Sequence, residues 1–313
     1  MNLTWARLTF RLQRFESLAF GGLVLLFAAI SVVAAIWIDS LRPPAECFAQ
    51  SFDGTYPPGC ELALNAWYSA QQGIAGLAAA LLIFLSFAAG LFLGVPIVAR
   101  ELERGTTRLA WSLAPSRMRW FLARMVPVLV LVGILTFIAG VASDRYLAAA
   151  TTETDLSNSF TSFGFRGVLI ASRAVFIFAV AVAVGAIVGR ALPAVIFAAI
   201  IATVGLAGGE AVHQRILQGE AVAFEGEQFM QGNLYVDQRF RLPDGTLVGW
   251  DYFGNEGNGP YDDNGNPKYP IVTLMVPGER YRFVETREAL VLAGGSLVAL
   301  LIAGFVVSRR RAG

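Results

Sequence analysis

Six long apolar runs alternate with polar segments along the chain. A membrane-spanning helix needs roughly 20 predominantly apolar residues to cross about 30 Å of hydrocarbon, so each run is long enough to span a bilayer. The runs cover residues 18–38, 73–98, 125–143, 167–189, 191–209 and 289–308. The pattern therefore predicts an all-α polytopic membrane protein with six transmembrane helices.

Three of these runs have flanks or interruptions that bear on the prediction. Arg173 lies inside the fourth run, but close enough to one end for its long side chain to reach the interface. Arg190 alone separates the fourth and fifth runs and Pro193 follows it, which favours a tight hairpin over one very long helix. Trp37 and Asp39 stand where a signal peptide would need small residues for cleavage, so we interpret the first run as a retained span.

The composition agrees with a membrane protein. Of the 313 residues, 56% are hydrophobic and only 15% are charged, and the mean hydropathy is +0.58. Such a composition excludes a water-soluble enzyme. The net charge of +1 gives no basis for binding nucleic acid.

The charges are divided unevenly between the two sets of connecting segments. If both termini are cytoplasmic, the cytoplasmic segments hold more than half of the 24 basic residues but only the acids Glu16, Glu101 and Glu103. The other segments are acidic, so the positive-inside rule predicts cytoplasmic termini. The basic residues on the predicted cytoplasmic side are Arg7, Arg11, Arg14, Arg100, Arg104, Arg108, Arg117, Arg119, Arg124, Arg190, Arg309, Arg310 and Arg311.

The polar and amphipathic segments outside the spans predict two further elements. Residues 1–16 alternate apolar side chains with arginines, which favours an interfacial helix at the inner membrane surface, with a plain extension of the first span as the alternative. Residues 210–286 alternate turn-forming stretches with short β-prone runs, which predicts a small β-rich extracellular insertion before the last helix. Residues 287–313 then form that last transmembrane helix and a basic tail.

The only two cysteines lie in the first segment predicted to be outside. An oxidising compartment permits a disulfide between Cys47 and Cys60, and closing so short a loop stabilises by roughly 3 kcal/mol in the chain-entropy model. Two free thiols are the alternative. His213 is the only histidine, so a metal site at the cysteines is not expected.

The segment between the second and third runs, residues 99–124, carries the most specific pattern. Gly105 ends the helix that leaves the second span, Thr106 or Thr107 can cap a short new helix, and Pro115 prevents its continuation. The new helix carries Leu109 and Leu113 one turn apart, with Trp111 nearby, so it exposes apolar side chains at the membrane surface. Either a partner covers them or the helix lies in the lipid headgroups.

The end of the same segment predicts how the third span begins. Ser116 can cap the third span, and Arg117, Arg119 and Arg124 mark the headgroup boundary.

The stretch from Gly94 to Trp120, GVPIVARELERGTTRLAWSLAPSRMRW, resembles the signature of the membrane subunits of ABC exporters of the second type. Those subunits have a proline, an Ala-Arg-Glu-x-Glu-x-Gly-Thr core, then Arg-Leu-Ala-Trp and a Ser-Arg-x-Arg-Trp before the third span. The match is most similar to the branch common in high-GC bacteria. The resemblance implies a bacterial plasma membrane permease.

In that family the short helix after the second span is the coupling helix, which sits in a groove of the ATPase. The resemblance therefore implies that residues 17–209 hold spans one to five, with a coupling helix at about 104–114. It also implies two partners, an ABC ATPase subunit dimer and a second permease subunit, either an identical copy or a close paralogue. The residues that the resemblance assigns to ATPase coupling are Glu101, Glu103, Gly105, Thr106 and Arg108, with Leu109 and Trp111 on the surface that contacts the ATPase.

The residues themselves indicate that this chain is not an ATPase. A Walker A loop needs a lysine on the β- and γ-phosphates, and Lys268, the only lysine, lies in the predicted extracellular insertion. ATP and Mg²⁺ would therefore bind in the partner ATPase, and we expect no cofactor in this chain. Few ionisable residues lie in the spans, which favours a hydrophobic or amphipathic cargo such as a drug, antibiotic, peptide or lipid.

Two pairs of glycines spaced one helical turn apart are candidates for close helix packing. They are Gly90 with Gly94 in the second span and Gly185 with Gly189 in the fourth. Packing within one subunit and packing between subunits both remain open from the sequence.

A rival function from another class is a non-transporting membrane anchor or sensor, in which residues 210–286 are a receptor module. A membrane-embedded enzyme is a third alternative, but one histidine and no cluster of acids in the spans leave little for catalysis. An ATPase gene beside this one would favour the exporter.

Overall fold

The computed structural model describes residues 13–48, 56–152, 156–225, 232–254, 260–262 and 267–310. Most of the predicted interfacial helix at residues 1–16 lies outside these ranges. The chain divides into two compact units. The described parts of the first lie within Met1–Thr154, Ser162–Gly205 and Glu285–Gly313, and those of the second within Asp155–Thr161 and Leu206–Val284.

The helices of the described residues include six that are long and apolar enough to cross a membrane, as the hydrophobic pattern predicts. Because these residues are nearly charge-free over 18-residue windows, their backbone polar groups are satisfied only within helices in a bilayer. The helices are α1 Arg14–Ser40, α2 Cys60–Ala88, α3 Ala99–Glu103, α4 Thr107–Leu113, α5 Arg117–Ala150, α6 Gly167–Val188, α7 Ala191–Glu220 and α8 Tyr281–Arg309.

Four helices extend well beyond the apolar runs in the sequence, and one of them is α5, which spans Arg117–Ala150 around the run 125–143. Helix α2 begins at Cys60 rather than near residue 73, because a polar first half from Glu61 to Gln72 is also helical. Helix α7 continues to Glu220, into the segment assigned to the insertion, and α8 begins at Tyr281. The apolar runs therefore mark only the parts of these helices that suit the hydrocarbon.

The core of the first unit lies among α1, α2, α5, α6 and the end of α8. Its largest fully buried side chains include Trp120 and Phe121 from α5 and Phe178 from α6. In contrast, the long outer faces of α7 and α8 are apolar and exposed, as expected of surfaces that face lipid or a second subunit.

Three of the four predicted glycines lie where the second span and α6 pack against each other within this one chain, whereas Gly189 faces the Arg310 side chain. A Cβ at Gly90 would be 2.8 Å from the carbonyl carbon of Ile177, and one at Gly94 would be 3.0 Å from the carbonyl oxygen of Phe178. Gly185 faces the second span in return, where its Cβ would be 3.0 Å from the carbonyl oxygen of Val95. The backbone of the end of the second span is therefore in close contact with the backbone of α6.

Cys47 and Cys60 form a disulfide, as the sequence predicts. Cys47 lies in a short 3₁₀ helix, Ala45–Phe48, and Cys60 is the first residue of α2. Both are buried against Leu64, and the bridge closes a loop with a sequence separation of 13. The disulfide therefore links the start of α2 covalently to the segment that follows α1.

The second unit contains a four-stranded antiparallel sheet. Its strands are β1 Val222–Glu225, β2 Leu234–Arg241, β3 Leu247–Val248 and β4 Ile271–Val276, in the order β1-β4-β2-β3. Phe240 pairs with Ile271 across β2 and β4, and a bulge interrupts this pairing between Tyr235 and Asp237.

A tight turn and an aromatic cluster lie at the β2–β3 side of the sheet. The turn between β2 and β3 has Gly245 at φ 87°, and the side chain and backbone of Thr246 hydrogen-bond the Asp244 carboxylate, which lowers the pKa of Asp244. Phe240 is fully buried, and the rings of Trp250 and Phe253 lie edge-on to it with centroids 5.3 and 5.4 Å away.

Candidate functional site

The segment between the second and third spans changes direction several times in a short distance. The second span ends in a π-helical turn, Ala89–Gly94, followed by a 3₁₀ turn, Val95–Ile97. Helix α3, the turn at Gly105 and helix α4 follow, and α5 then starts the third span. The Ser116 hydroxyl caps α5 by accepting a hydrogen bond from the Arg119 backbone N–H at 3.1 Å, as the sequence predicts.

Gly105 separates α3 from α4 because it takes a left-handed conformation, with φ 68°. Thr106 stands at the N-cap position of α4, but its side chain does not cap that helix. Its hydroxyl lies 2.5 Å from a carboxylate oxygen of Glu101 instead. Thr106 therefore closes the turn back onto α3.

Glu101 connects this turn to the third span. Its second carboxylate oxygen accepts a hydrogen bond from the Arg124 guanidinium at 2.8 Å. Arg124 is only 8% exposed and lies over the Trp120 ring at 5.0 Å, so the ion pair is largely removed from solvent. Such a pair needs both partners, because a lone buried charge is costly.

Glu103 connects the same turn to the fifth span. Its carboxylate accepts a hydrogen bond from the backbone N–H of Ala191 at 3.0 Å, and Ala191 is the first residue of α7. A carboxylate at a helix N-terminus satisfies an otherwise unpaired N–H and interacts favourably with the helix dipole. Gly189, with φ 70°, ends α6 just before this contact.

The two apolar residues of α4 that were predicted to form its contact surface differ in exposure. Leu109 is 65% exposed, whereas Trp111 is half-buried and packs edge-on against Trp120 with ring centroids 6.2 Å apart. Trp111 therefore attaches α4 to the core, and it supplies less of an outer surface than the sequence led us to expect. The side chains of Arg108 and Leu113 lie outside the described part of the structure.

Two arginines join the last span to its neighbours. Arg117 lies over the Trp111 ring at 4.7 Å and donates to the carbonyl oxygens of Ser308 and Arg310 at 3.2 and 2.7 Å. Arg310 in turn donates to the carbonyl oxygen of Ala186 near the end of α6. These donors satisfy carbonyl groups that helix ends leave unpaired.

The described structure thus brings five of the predicted residues, Glu101, Glu103, Gly105, Thr106 and Trp111, into one folded turn with contacts to α5 and α7. The sequence did not reveal their partners Arg124 and Ala191. Arg124 was assigned only to the headgroup boundary, and the acceptor role of Glu103 depends on a backbone group that no motif marks. Among the described residues, no group of three or more His, Cys, Asp or Glu is placed to hold a metal ion.

Comparison with known proteins places the chain in a family. A family model described as ABC-2 membrane transporter related matches residues 21–212, which is more than half of the chain and includes the whole turn described above. No curated protein and no solved structure matches the chain. With its six apolar helices, the chain belongs to the ABC-2 membrane transporter related family and is a multi-pass membrane transporter subunit of the permease type.

Proposed function

We propose that the chain is the permease subunit of an ATP-driven exporter and that α4 is its coupling helix. Two copies, or this chain and a close paralogue, would form the pathway, and two separate ATPase subunits would supply the energy. The observation that carries the proposal is that Leu109 is exposed on a short helix whose flanking residues contact other spans. These contacts reach α5, α7 and, from the start of α5, the end of α8.

The attachments give the coupling helix a route to the transmembrane helices. Glu101 holds the turn to α5, Glu103 holds it to α7, and Arg117 joins the neighbouring start of α5 to the end of α8. A displacement of α4 by an ATPase would therefore move the ends of several spans together. Such rigid-body movement of packed helices is an established way to switch access across a membrane.

The charges around the segment between the second and third spans indicate on which side of the membrane it lies. Arg100, Arg104, Arg119 and Arg124 lie within or next to it, and an excess of arginine marks cytoplasmic loops. This supports cytoplasmic termini in a bacterial plasma membrane, and the branch common in high-GC bacteria remains our proposal for the subfamily. An ATPase in the cytoplasm would meet α4 directly.

The cargo we propose is hydrophobic or amphipathic, such as a drug, antibiotic, peptide or lipid. The central parts of α6 and α7 carry only apolar and small side chains from Val175 to Val188 and from Leu192 to Gly209. An ion pathway would need ionisable groups there, whereas an apolar cargo needs an apolar cavity.

The test is Leu109→Asp in the purified complex with the neighbouring ATPase. A charge placed in a buried apolar contact should weaken ATPase co-purification at least tenfold, as loss of an interface hot spot does. Leu62→Asp is the matched control, because Leu62 is also an exposed leucine, at 80%, and lies near the disulfide at the start of α2. We expect Leu62→Asp to retain the ATPase.

Glu103→Ala separates binding from transport. It keeps the Leu109 surface but removes the acceptor of the Ala191 N–H, so the ATPase should still co-purify while transport in proteoliposomes falls. Normal transport by both Leu109→Asp and Glu103→Ala would refute the coupling role. Absence of any associated ATPase would instead favour the anchor or sensor function.

A further inference from the structure

A cavity of ≈ 230 Å³ lies beside the turn at Gly105, between the start of the first span and the start of the third. We call it the arginine pocket. Its volume is many times what one water molecule requires. Two apolar residues of the 3₁₀ turn form part of the wall, and its polar lining consists of Gln13, Arg100, Glu101, Arg104, Thr106 and Arg124.

The charges around the arginine pocket do not cancel. Arg100 pairs with Glu16 at 2.5 Å, and Arg124 pairs with Glu101 at 2.8 Å. Arg104 makes no ion pair within the described residues, although its charge acts on Glu101. The pocket therefore has one guanidinium in excess, which suits a ligand with a single negative charge.

Two buried polar atoms in the lining have no hydrogen-bond partner among the described residues. Gln13 is 7% exposed and Arg124 is 8% exposed, and neither the Gln13 side-chain carbonyl oxygen nor the Arg124 Nε–H makes a hydrogen bond in the described structure. Leaving such groups unpaired costs free energy, so a ligand that supplies both an acceptor and a donor would be stabilised here. Anionic oxygens alone would satisfy only the arginine.

We propose that the arginine pocket binds the phosphodiester of a membrane phospholipid. Arg104 and the Arg124 Nε–H donate to the phosphate oxygens, and the Gln13 carbonyl accepts a hydrogen bond from a hydroxyl or ammonium group of the lipid headgroup. The headgroups of phosphatidylglycerol and phosphatidylethanolamine carry such donors, whereas phosphatidylcholine has none.

Charge and position both favour a lipid over free phosphate. A phosphodiester carries one negative charge, whereas a phosphomonoester carries about −1.5 to −2 at neutral pH, more than the excess in the pocket. The lining residues also come from the points where three apolar runs meet polar sequence, at Gln13 before α1, Arg100 after the second span and Arg124 near the start of the third. Headgroups lie at this depth in a bilayer.

The experiment is a titration of the purified full-length protein in neutral detergent, with bound lipid counted by native mass spectrometry. We expect one phosphatidylglycerol or phosphatidylethanolamine per chain, bound more tightly than phosphatidylcholine, and no comparable binding of diacylglycerol. Arg104→Gln should weaken phosphatidylglycerol binding roughly tenfold, the loss expected for a hydrogen bond to a charged group. The assay needs no ATPase, so its result is independent of the coupling role.

Two variants make the result specific. Arg119→Gln removes the same charge from an exposed arginine near the start of α5 that does not line the pocket, and this variant should bind lipid as the wild type does. Gln13→Leu should abolish the preference for phosphatidylglycerol over phosphatidylcholine while preserving weaker binding of both. Equal weakening by Arg104→Gln and Arg119→Gln, equal binding of diacylglycerol, or displacement of the lipid by millimolar inorganic phosphate would overturn the proposal.

Discussion

Glu101 is the residue on which the folded turn between the second and third spans depends. One carboxylate oxygen accepts from Arg124 and the other from Thr106, so both oxygens are hydrogen-bonded within the protein. The side chains of Glu101 and Arg124 are 18% and 10% exposed, so most of each charged side chain is buried in the protein. Removal of one member should therefore cost more than removal of both.

Arg124→Met tests this pair at the residue scale. It leaves a mostly buried carboxylate without its counter-charge, and we expect a loss of roughly 3 kcal/mol, at the lower end of the range for breaking a buried ion pair. Glu101→Gln combined with Arg124→Met should recover at least half of that loss. Thermal unfolding of the purified protein in detergent gives both values.

The control for this cycle is Arg119→Met. Arg119 lies on the same helix and is exposed, so its loss should change stability by less than about 0.5 kcal/mol. If the double variant is as unstable as the sum of the single ones, the two side chains do not act as a pair.

The sequence revealed which residues of this turn are special but not what each of them does. Gly105 was predictable because a helix break at a glycine has a local cause, and Ser116 because capping involves its own helix. Thr106 or Thr107 was expected to cap α4, but the Thr106 hydroxyl donates to the carboxylate of Glu101, five residues earlier, and accepts no hydrogen bond from the backbone of α4. The contact between Glu103 and Ala191 joins residues 88 positions apart, which no local pattern encodes.

At the scale of elements, the contact between the second span and α6 sets the path of the chain into the segment between the second and third spans. Gly90 lies in the π-helical turn, where the backbone of α6 occupies the space a side chain would need. Departures from regular helix are often found at functional sites and at tight helix contacts. The close approach places α3 and the Gly105 turn beyond the end of α6.

Gly90→Ala tests this close approach. The added Cβ would be 2.8 Å from the Ile177 carbonyl carbon and 2.9 Å from the Phe178 nitrogen, so the two helices must separate. We expect a loss of about 1–3 kcal/mol in stability, as for other overpacked cores. Unfolding in detergent measures it.

Gly22→Ala is the matched control for that substitution. Gly22 lies in α1 with no atom within 4 Å of an added Cβ, and alanine is the better helix former, so stability should stay equal or rise by up to about 1 kcal/mol. Equal behaviour of the two variants would mean that the contact between the second span and α6 tolerates separation.

Hydropathy predicted the existence of the six long helices better than their lengths. The polar half of α2 and the distal part of α7 are helical without being apolar, so a search for membrane spans cannot detect them. In α2, Trp67 is fully buried against Ile38 of α1 and Tyr146 of α5, and this packing explains why the helix continues outside the apolar run. Tertiary packing of one face stabilises such helices more than propensity does.

At the scale of the whole molecule, charge and cysteine chemistry mark opposite ends of the first unit's helices. The disulfide is at the start of α2, whereas the arginines of the segment between the second and third spans follow the end of the second span. A structural disulfide belongs in an oxidising compartment, and arginine-rich loops belong on the cytoplasmic side. Two independent kinds of chemistry therefore support one orientation.

Cysteine labelling in intact cells tests this orientation directly. Replacing both native cysteines by serine leaves an introduced cysteine as the only thiol, since the chain has two cysteines in all. In that background we expect Asp251→Cys, an exposed position in the second unit, to react with a membrane-impermeant maleimide added outside. Ser112→Cys, exposed on α4, should react only after the membrane is permeabilised. The reverse pattern would place α4 outside the cell, beyond the reach of a cytoplasmic ATPase, and would remove both the orientation and the coupling role with it.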